Sequence, residues 1–278
     1  GEAAVLKLDW RGVADGEVTG WVQGSLRSHT ERCTYDPALA DRQDRSHLHQ
    51  ARLHPVSNRW AFFPDLGCDK IWVYEFDPIL GTLSREPSAL DLPHGSGPRH
   101  CDFHPSGAFL YITCELDGTV AVASCDDSTG NLAIIQVISA LPNGSEPNRG
   151  PNMGNAHIRC SLDGCNVYTT TRSDDSITTF TVEEGGAQLK YLQHISSGGK
   201  CPVHFGLDPN HRFLWCANSN SSNVVSFDIV PQKGGALAQR TTLTLPKGHT
   251  PGYVSSPKPR VCLQPFEDAV VASSGPKL

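Results

Sequence analysis

Four stretches of the chain repeat one pattern: ARLHPVSNRWAFFPDLGCDKIWVYEFDPILGTL, CDFHPSGAFLYITCELDGTVAVASCDDSTGNL, IRCSLDGCNVYTTTRSDDSITTFTVEEGGAQL and FGLDPNHRFLWCANSNSSNVVSFDIVPQKGGAL. Their turn residues Pro55, Pro105, Leu162 and Pro209 are 50, 57 and 47 residues apart (105−55, 162−105, 209−162). Within each unit a short strand meets a Gly/Pro/Asn/Asp turn, an apolar strand such as AFLYITC follows, and an alternating strand such as TVAVAS or SITTFTV comes next. An acidic or glycine-rich turn then leads to an outer strand. A period near 50 built from three or four short strands is the pattern of propeller blades, and no segment of comparable length has helical periodicity. The fold class read from this pattern is all-β, a β-propeller.

The alignment of the units also places the charges. Five residues before the turn markers His54, His104, Ser161 and Asp208 stand His49, Arg99, Ala156 and Val203, each at the entrance to an innermost strand. Four residues beyond Ala61, Tyr111, Tyr168 and Trp215 stand Asp65, Glu115, Arg172 and Ser219, each at the end of the second strand. In an antiparallel hairpin the start of one strand lies beside the end of its neighbour. Both sets therefore converge on one mouth of the central channel. The segment GPRHCDFHPSGAFLYITCEL, with Arg99 at one end and Glu115 at the other, is then one side of a charged ring to which adjacent blades add His49, Asp65 and Arg172. Charges at blade ends also pair across blades as a structural cap. Five ionisable groups in one concavity exceed what that stapling requires and point to a site.

Composition narrows the partners. The chain has 278 residues, 23 Lys+Arg against 29 Asp+Glu and a formal charge of −6, without a long basic run, which argues against nucleic acid or a membrane surface. No apolar run reaches the ~20 residues of a membrane span, and GEAAVLKLDW does not read as a secretory leader, so the expected location is cytoplasmic. The ten cysteines, Cys33, Cys68, Cys101, Cys114, Cys125, Cys160, Cys165, Cys201, Cys216 and Cys262, form no CxxC pair, and the expectation is reduced, mostly buried thiols. In SHLH, His47 and His49 project to one side of an extended segment. A metal would want a third ligand there, and the favoured reading is no metal, with one channel-facing and one packed histidine.

The segments RQDRSHLHQARLHP, PDLGCDKIWVYEFDPILGTL, GPRHCDFHPSGAFLYITCEL, TTTRSDDSITTFTV, SSGGKCPVHFGLDP and CANSNSSNVVSFDI together resemble the lactonase-type seven-bladed propellers, which include 6-phosphogluconolactonases and the carboxymuconate lactonizing enzyme. The resemblance covers most of residues 43–230. It implies an electropositive pocket for a small anionic substrate, either a phosphorylated sugar lactone or a carboxylated lactone, and it implies no cofactor. The implied setting is carbohydrate metabolism in the pentose phosphate pathway. By position the catalytic group would be His49, Arg99, Glu115 and Arg172, with Arg99, Arg172, His100 and Asp65 contacting substrate.

Lactone opening needs an activated water, donors for the developing oxyanion and a docking charge. Arginine suits an anion with a fixed fork, which assigns binding to Arg99 and Arg172. Glu115 and His49 share the acid and base roles, and either order is open. Three functions fit: lactone hydrolysis, cycloisomerisation of a carboxylated muconate, and a non-catalytic interaction platform.

The chain departs from the family where CPVHF puts Val203 at a usual arginine and CANSN puts Ser219 at a usual glutamine. Seven blades of about 50 residues need roughly 350, so about two and a half N-terminal blades are expected to be missing. The expected layout is one domain: residues 1–22 a partial blade, 23–46 a loop over the channel mouth carrying Arg42-Gln43, 47–246 four blades, and 247–278 a connector and the closing segment PRVCLQPFED.

Overall fold

In the computed structural model, which describes residues 2–8, 21–28, 37–142, 154–246 and 249–252, each of the four repeats is an antiparallel sheet. The first blade holds β3 (Arg52–Leu53), β4 (Trp60–Asp65) and β5 (Lys70–Asp77), with its outer strand split into β6 (Thr82–Leu83) and β7 (Ser88–Asp91), both paired to β5. The second runs β8 (Pro98–Phe103), β9 (Phe109–Cys114), β10 (Thr119–Cys125) and β11 (Leu132–Ser139). The third runs β12 (Asn155–Cys160), β13 (Asn166–Thr171), β14 (Ser176–Glu183) and β15 (Gln188–Ser196). The fourth runs β16 (Pro202–Leu207), β17 (Phe213–Asn218), β18 (Asn223–Val230) and β19 (Ala236–Thr244).

The period-2 alternation that marks these strands sends their two faces to different neighbours. From β4, Trp60 and Phe62 pack into a cluster with Cys101, Phe103, Leu110 and Ile112 of the second blade, whereas Ala61 and Phe63 pack with Trp72 and Tyr74 on the other face. Tyr111, Val120 and Val122 meet Ile158, Val167 and Phe180 of the third blade, and Tyr168 and Ile177 meet Phe205, Leu214 and Phe227 of the fourth. Each Val, Leu, Ile or Phe side chain buried this way contributes about 1.5–3 kcal/mol. The blades thus bury a core between sheets rather than within one.

Polar staples repeat with the blades. Gln136 on β11 donates to Leu189 O at 2.9 Å and accepts from Leu189 N at 2.7 Å on β15. Gln193 on β15 makes the same pair with Leu237 on β19, at 3.0 and 2.7 Å. Buried Asp102 accepts from Arg52 of the first blade and from Cys160 N of the third at 2.9 Å.

Several expectations shift. Residues 23–46, expected as loop, begin inside β2 (Trp21–Ser28), which pairs with β1 (Glu2–Leu8), and end in a short helix, α1 (Ala40–Gln43). The run Gln23, Gly24, Ser25 interrupts apolar alternation, so the strand escapes pattern reading. Cys101, Cys114, Cys160 and Cys216 are buried free thiols as expected, but Cys68 is disulfide-bonded. The segment PRVCLQPFED also lies outside them. Among the described residues no helix is long and apolar enough to cross a membrane.

Candidate active site

The inner strands are irregular where they enter the channel. Pairing register shifts between Pro98 and His100, between Asn155 and Ile158, and between Pro202 and His204. A bulge sets two residues against one on the partner strand and re-aims their side chains. The shift at Arg99 turns it toward the end of the neighbouring strand, where Glu115 N donates to Gly97 O at 2.8 Å. Gly97 has φ of 60°, left-handed backbone that glycine adopts without strain.

Glu115 is 1% exposed and is the centre of the site. Arg99 Nε donates to its Oε2 at 2.9 Å, and Arg172 Nη2 lies 2.8 Å from the same oxygen. Its Oε1 receives Arg42 Nε at 2.9 Å, with Arg42 Nη2 at 2.7 Å. Three arginines from three parts of the chain therefore share one carboxylate and leave a local surplus of two positive charges. Burial pushes the Glu115 pKa upward, but Arg172, Arg99 and Arg42 hold it below the ordinary carboxylate value. Glu115 is ionised with both oxygens occupied.

Arg172 and Arg99 are held by backbone as well. Arg172 Nε donates to Gly154 O at 3.2 Å, and Gly154 lies so close to the Glu115 carbonyl that a Cβ there would overlap it. Arg99 Nη1 donates to Ala156 O at 2.6 Å and lies 3.4 Å from His100 Nε2. Burial lowers the Arg99 pKa to about 10, against the pull of Glu115, so it stays cationic at neutral pH. Among the described residues no acceptor takes its Nη2 protons.

Arg42 was outside the repeat alignment, and the only sequence signal for it was the Arg-Gln pair. The reason it reaches Glu115 is its neighbour. Gln43, fully buried, donates to Leu66 O at 2.9 Å and to Asp69 Oδ1 at 2.8 Å. Asp69 in turn accepts from Gly95 N at 2.7 Å and Gly97 N at 2.8 Å. One carboxylate ties α1 to the loop that precedes Arg99.

His49 N donates to Pro64 O at 3.0 Å, and its ring stands edge-on to His100 with centroids 5.2 Å apart. Burial and the adjacent Arg99 push its pKa down to about 3, so the imidazole is neutral, and its Nδ1 has no partner among the described residues. His47 points elsewhere, to Asp44 Oδ1 at 2.6 Å.

The remaining positions diverge from the ring drawn from sequence. Asp65 is fully buried and accepts from Ser46 Oγ at 2.5 Å, His47 N at 2.7 Å, Gly67 N at 3.1 Å and Trp72 Nε1 at 2.9 Å. It is a corner that shapes the segment carrying His49, with neither oxygen free for substrate. His100 spends Nδ1 on His157 Nδ1 at 2.7 Å. Ser219 hydrogen-bonds Cys201 O through both N and Oγ, at 3.0 and 3.2 Å. Val203, half-buried, occupies the fourth-blade bulge.

The family described as a seven-bladed β-propeller lactonase matches residues 13–251. A 6-phosphogluconolactonase of Bacillus subtilis is 32% identical over 224 residues, which are 80% of this chain and 62% of that protein. One from Sodalis glossinidius is 32% identical over 68% of this chain and 55% of its own length. The periplasmic gluconolactonase of Pseudomonas aeruginosa superposes with a TM-score of 0.72 at 30% identity, over 88% of this chain and 64% of that one. A Lactobacillus plantarum protein superposes with a TM-score of 0.76 at 28% identity, over 88% and 66%. The chain thus spans less than two thirds of the length of the curated relatives it matches, and by the extent of its own match it belongs to the seven-bladed β-propeller lactonase family.

Proposed function

We propose that this chain carries the catalytic site of a 6-phosphogluconolactonase-like hydrolase acting on an anionic sugar lactone. The observation that carries the reading is the set of three guanidiniums on Glu115, with two surplus positive charges and the Nη2 protons of Arg99 unclaimed. Relatives named 6-phosphogluconolactonase support the substrate class.

Glu115, ionised and fully engaged, organises the arginines instead of accepting a proton. His49 is the general base. Its low basicity reflects burial beside Arg99, and a substrate phosphate brought into the site supplies the negative charge that raises it again. His49 takes a proton from water as the water oxygen attacks the lactone carbonyl. The tetrahedral oxyanion is met by Arg99 N–H groups already in place, which need no reorganisation during the reaction. Collapse breaks the ring C–O bond, and the proton held by His49 passes to the departing alkoxide oxygen, giving the open hydroxy acid.

The test is an assay of the purified chain with 6-phosphogluconolactone and, separately, with carboxymuconate. Hydrolysis of the first that falls about 10²–10³-fold in folded Arg99→Ala supports the reading. Turnover of the muconate alone would reassign the reaction to cycloisomerisation. A folded parent inactive on both would leave the interaction platform.

A further inference from the structure

One residue beyond Arg99, Ala156 and Val203, equivalent positions of successive blades carry His100, His157 and His204. His100 and His157 rings are edge-to-face with centroids 5.0 Å apart, and His157 stacks on His204 at 3.9 Å. Lactone hydrolysis as derived above uses none of these rings, yet one touches Arg99.

A guanidinium only donates, so Arg99 Nη1, 3.4 Å from His100 Nε2, makes that nitrogen an acceptor. The His100 proton then sits on Nδ1 and is donated to His157 Nδ1 at 2.7 Å. His157 Nδ1, as acceptor, forces its own proton onto Nε2, a buried nitrogen with no partner among the described residues. One arginine thereby dictates the proton positions of two imidazoles in two blades. His157 is itself fixed, stacked on His204 and edge-on to Phe205 at 4.9 Å, with its backbone N donating to Thr170 Oγ1 at 3.1 Å. A metal cluster is the other way to read facing imidazoles, but among the described residues no three of His, Cys, Asp or Glu are arranged to hold an ion.

We propose that His100 and His157 are positioning residues that hold the Arg99 guanidinium toward the site through a relay of tautomer-specific hydrogen bonds. The relay runs from the fixed ring of His157 through His100 to Nη1. Together with Glu115 on Nε and Ala156 O on Nη1, it leaves Nη2 as the edge presented to substrate.

Two measurements on the intact chain test it. Imidazole ¹⁵N NMR at neutral pH is expected to show His100 as the Nδ1–H tautomer and His157 as Nε2–H, with His100 moving toward Nε2–H in Arg99→Leu. Finding His100 as Nε2–H in the parent, or its tautomer unchanged in a folded Arg99→Leu, overturns the relay. The kinetic arm rests on the lactonase reading. His157→Leu, which removes the acceptor, is expected to lower kcat for 6-phosphogluconolactone about tenfold with KM little changed, because the Arg99 donors it positions act on the tetrahedral oxyanion. His157→Gln, whose amide oxygen accepts from His100 Nδ1–H, is expected to restore most of it. Equal defects in both variants, or a parental kcat in His157→Leu, mean a packing role only and overturn the proposal. A parent without turnover would end the lactonase reading and leave the tautomers to decide the relay.

Discussion

Arg42 and Glu115, 73 residues apart in the chain, meet through two guanidinium contacts to a single carboxylate oxygen, at 2.9 and 2.7 Å. The contact joins the short helix α1 to the end of β9, so the segment that precedes the first blade closes the site of the second. Arg42 is a quarter exposed, which makes it the arginine of the three that an incoming anion meets first. Arg42→Ala is expected to lower kcat/KM for 6-phosphogluconolactone by about 10–100-fold, corresponding to loss of one charge-assisted contact. Arg42→Lys is expected to recover only part, because an ammonium cannot present the same fork. Parental kinetics in Arg42→Ala would remove this residue from the site.

Glu115→Gln tests whether the carboxylate organises or catalyses. It removes the one negative charge among three buried or half-buried guanidiniums, and breaking such a pair typically destabilises by about 3–5 kcal/mol. Because its folded pKa lies below the ordinary 4.5, the carboxylate stabilises the fold fully above that value and loses the effect as pH falls through the lower folded pKa. Thermal melts from pH 3 to 6 are expected to show a steep acid loss in the parent and a shallower one in Glu115→Gln. Superimposable melting profiles would contradict the charge assignment.

Much of this site was legible because the repeat and the strand alternation are both regular. Position within a blade alone brought Arg99, Glu115 and Arg172 to one place, and antiparallel pairing required it. The same reasoning misplaced Asp65, since the groups that capture it are Ser46, Gly67 and Trp72, and hydrogen bonds of that kind leave no period in a sequence. Arg42 was illegible for the complementary reason: it lies outside every repeat, and what places it is a buried amide on Asp69. The bulges that turn Arg99 and His100 are register defects, invisible to a pattern that assumes regular strands.

The channel histidines make a separate acid prediction. His100 and His157 are held well below the ordinary 6.5, first by burial and then by their charged and ionisable neighbours: Arg99, the imidazoles of His49 and His204, and Arg172 around His100, and the imidazoles of His204 and His100, Arg159 and Arg99 around His157. The unfolded chain takes up these protons below pH 6.5 while the folded chain does not, so stability is complete above 6.5 and declines as pH falls from there. This loss begins at higher pH than the carboxylate effect. His157→Gln is expected to flatten the melting temperature between pH 6.5 and 5, and an unchanged slope in that window would refute the prediction.

Gly154 is held to glycine by the Glu115 carbonyl against its Cα, with Arg172 N and Nε both on its own oxygen, at 3.1 and 3.2 Å. Gly154→Ala must separate these backbones and carry Arg172 away from Glu115. The expected result is a folded protein with turnover reduced about 10²-fold, the scale of a misplacement near 1 Å. Activity within a factor of two of the parent would show that the two blades tolerate the displacement.

Val203 stands at the fourth-blade bulge, the position that corresponds to Arg99 in the second blade. A valine there supplies no charge, so under the proposed lactonase reading anion binding falls on Arg42, Arg99 and Arg172. Val203→Arg places a guanidinium at a half-buried position next to His204 in the chain, and the two oxygens of Glu115 are already taken by three arginines. The new group therefore keeps its donors for the substrate, at the expense of crowding cations in the channel. Because a charge that only docks the substrate's anionic group binds ground and transition states alike, the gain is expected in KM, lowered about threefold to tenfold, with kcat unchanged. Raising the salt concentration should shrink the difference, as it does for any contribution carried by partly exposed charge. A rise in kcat instead would place the fourth-blade entrance against the reacting carbonyl, and a rise in KM would mean that the channel cannot accommodate a fourth cation.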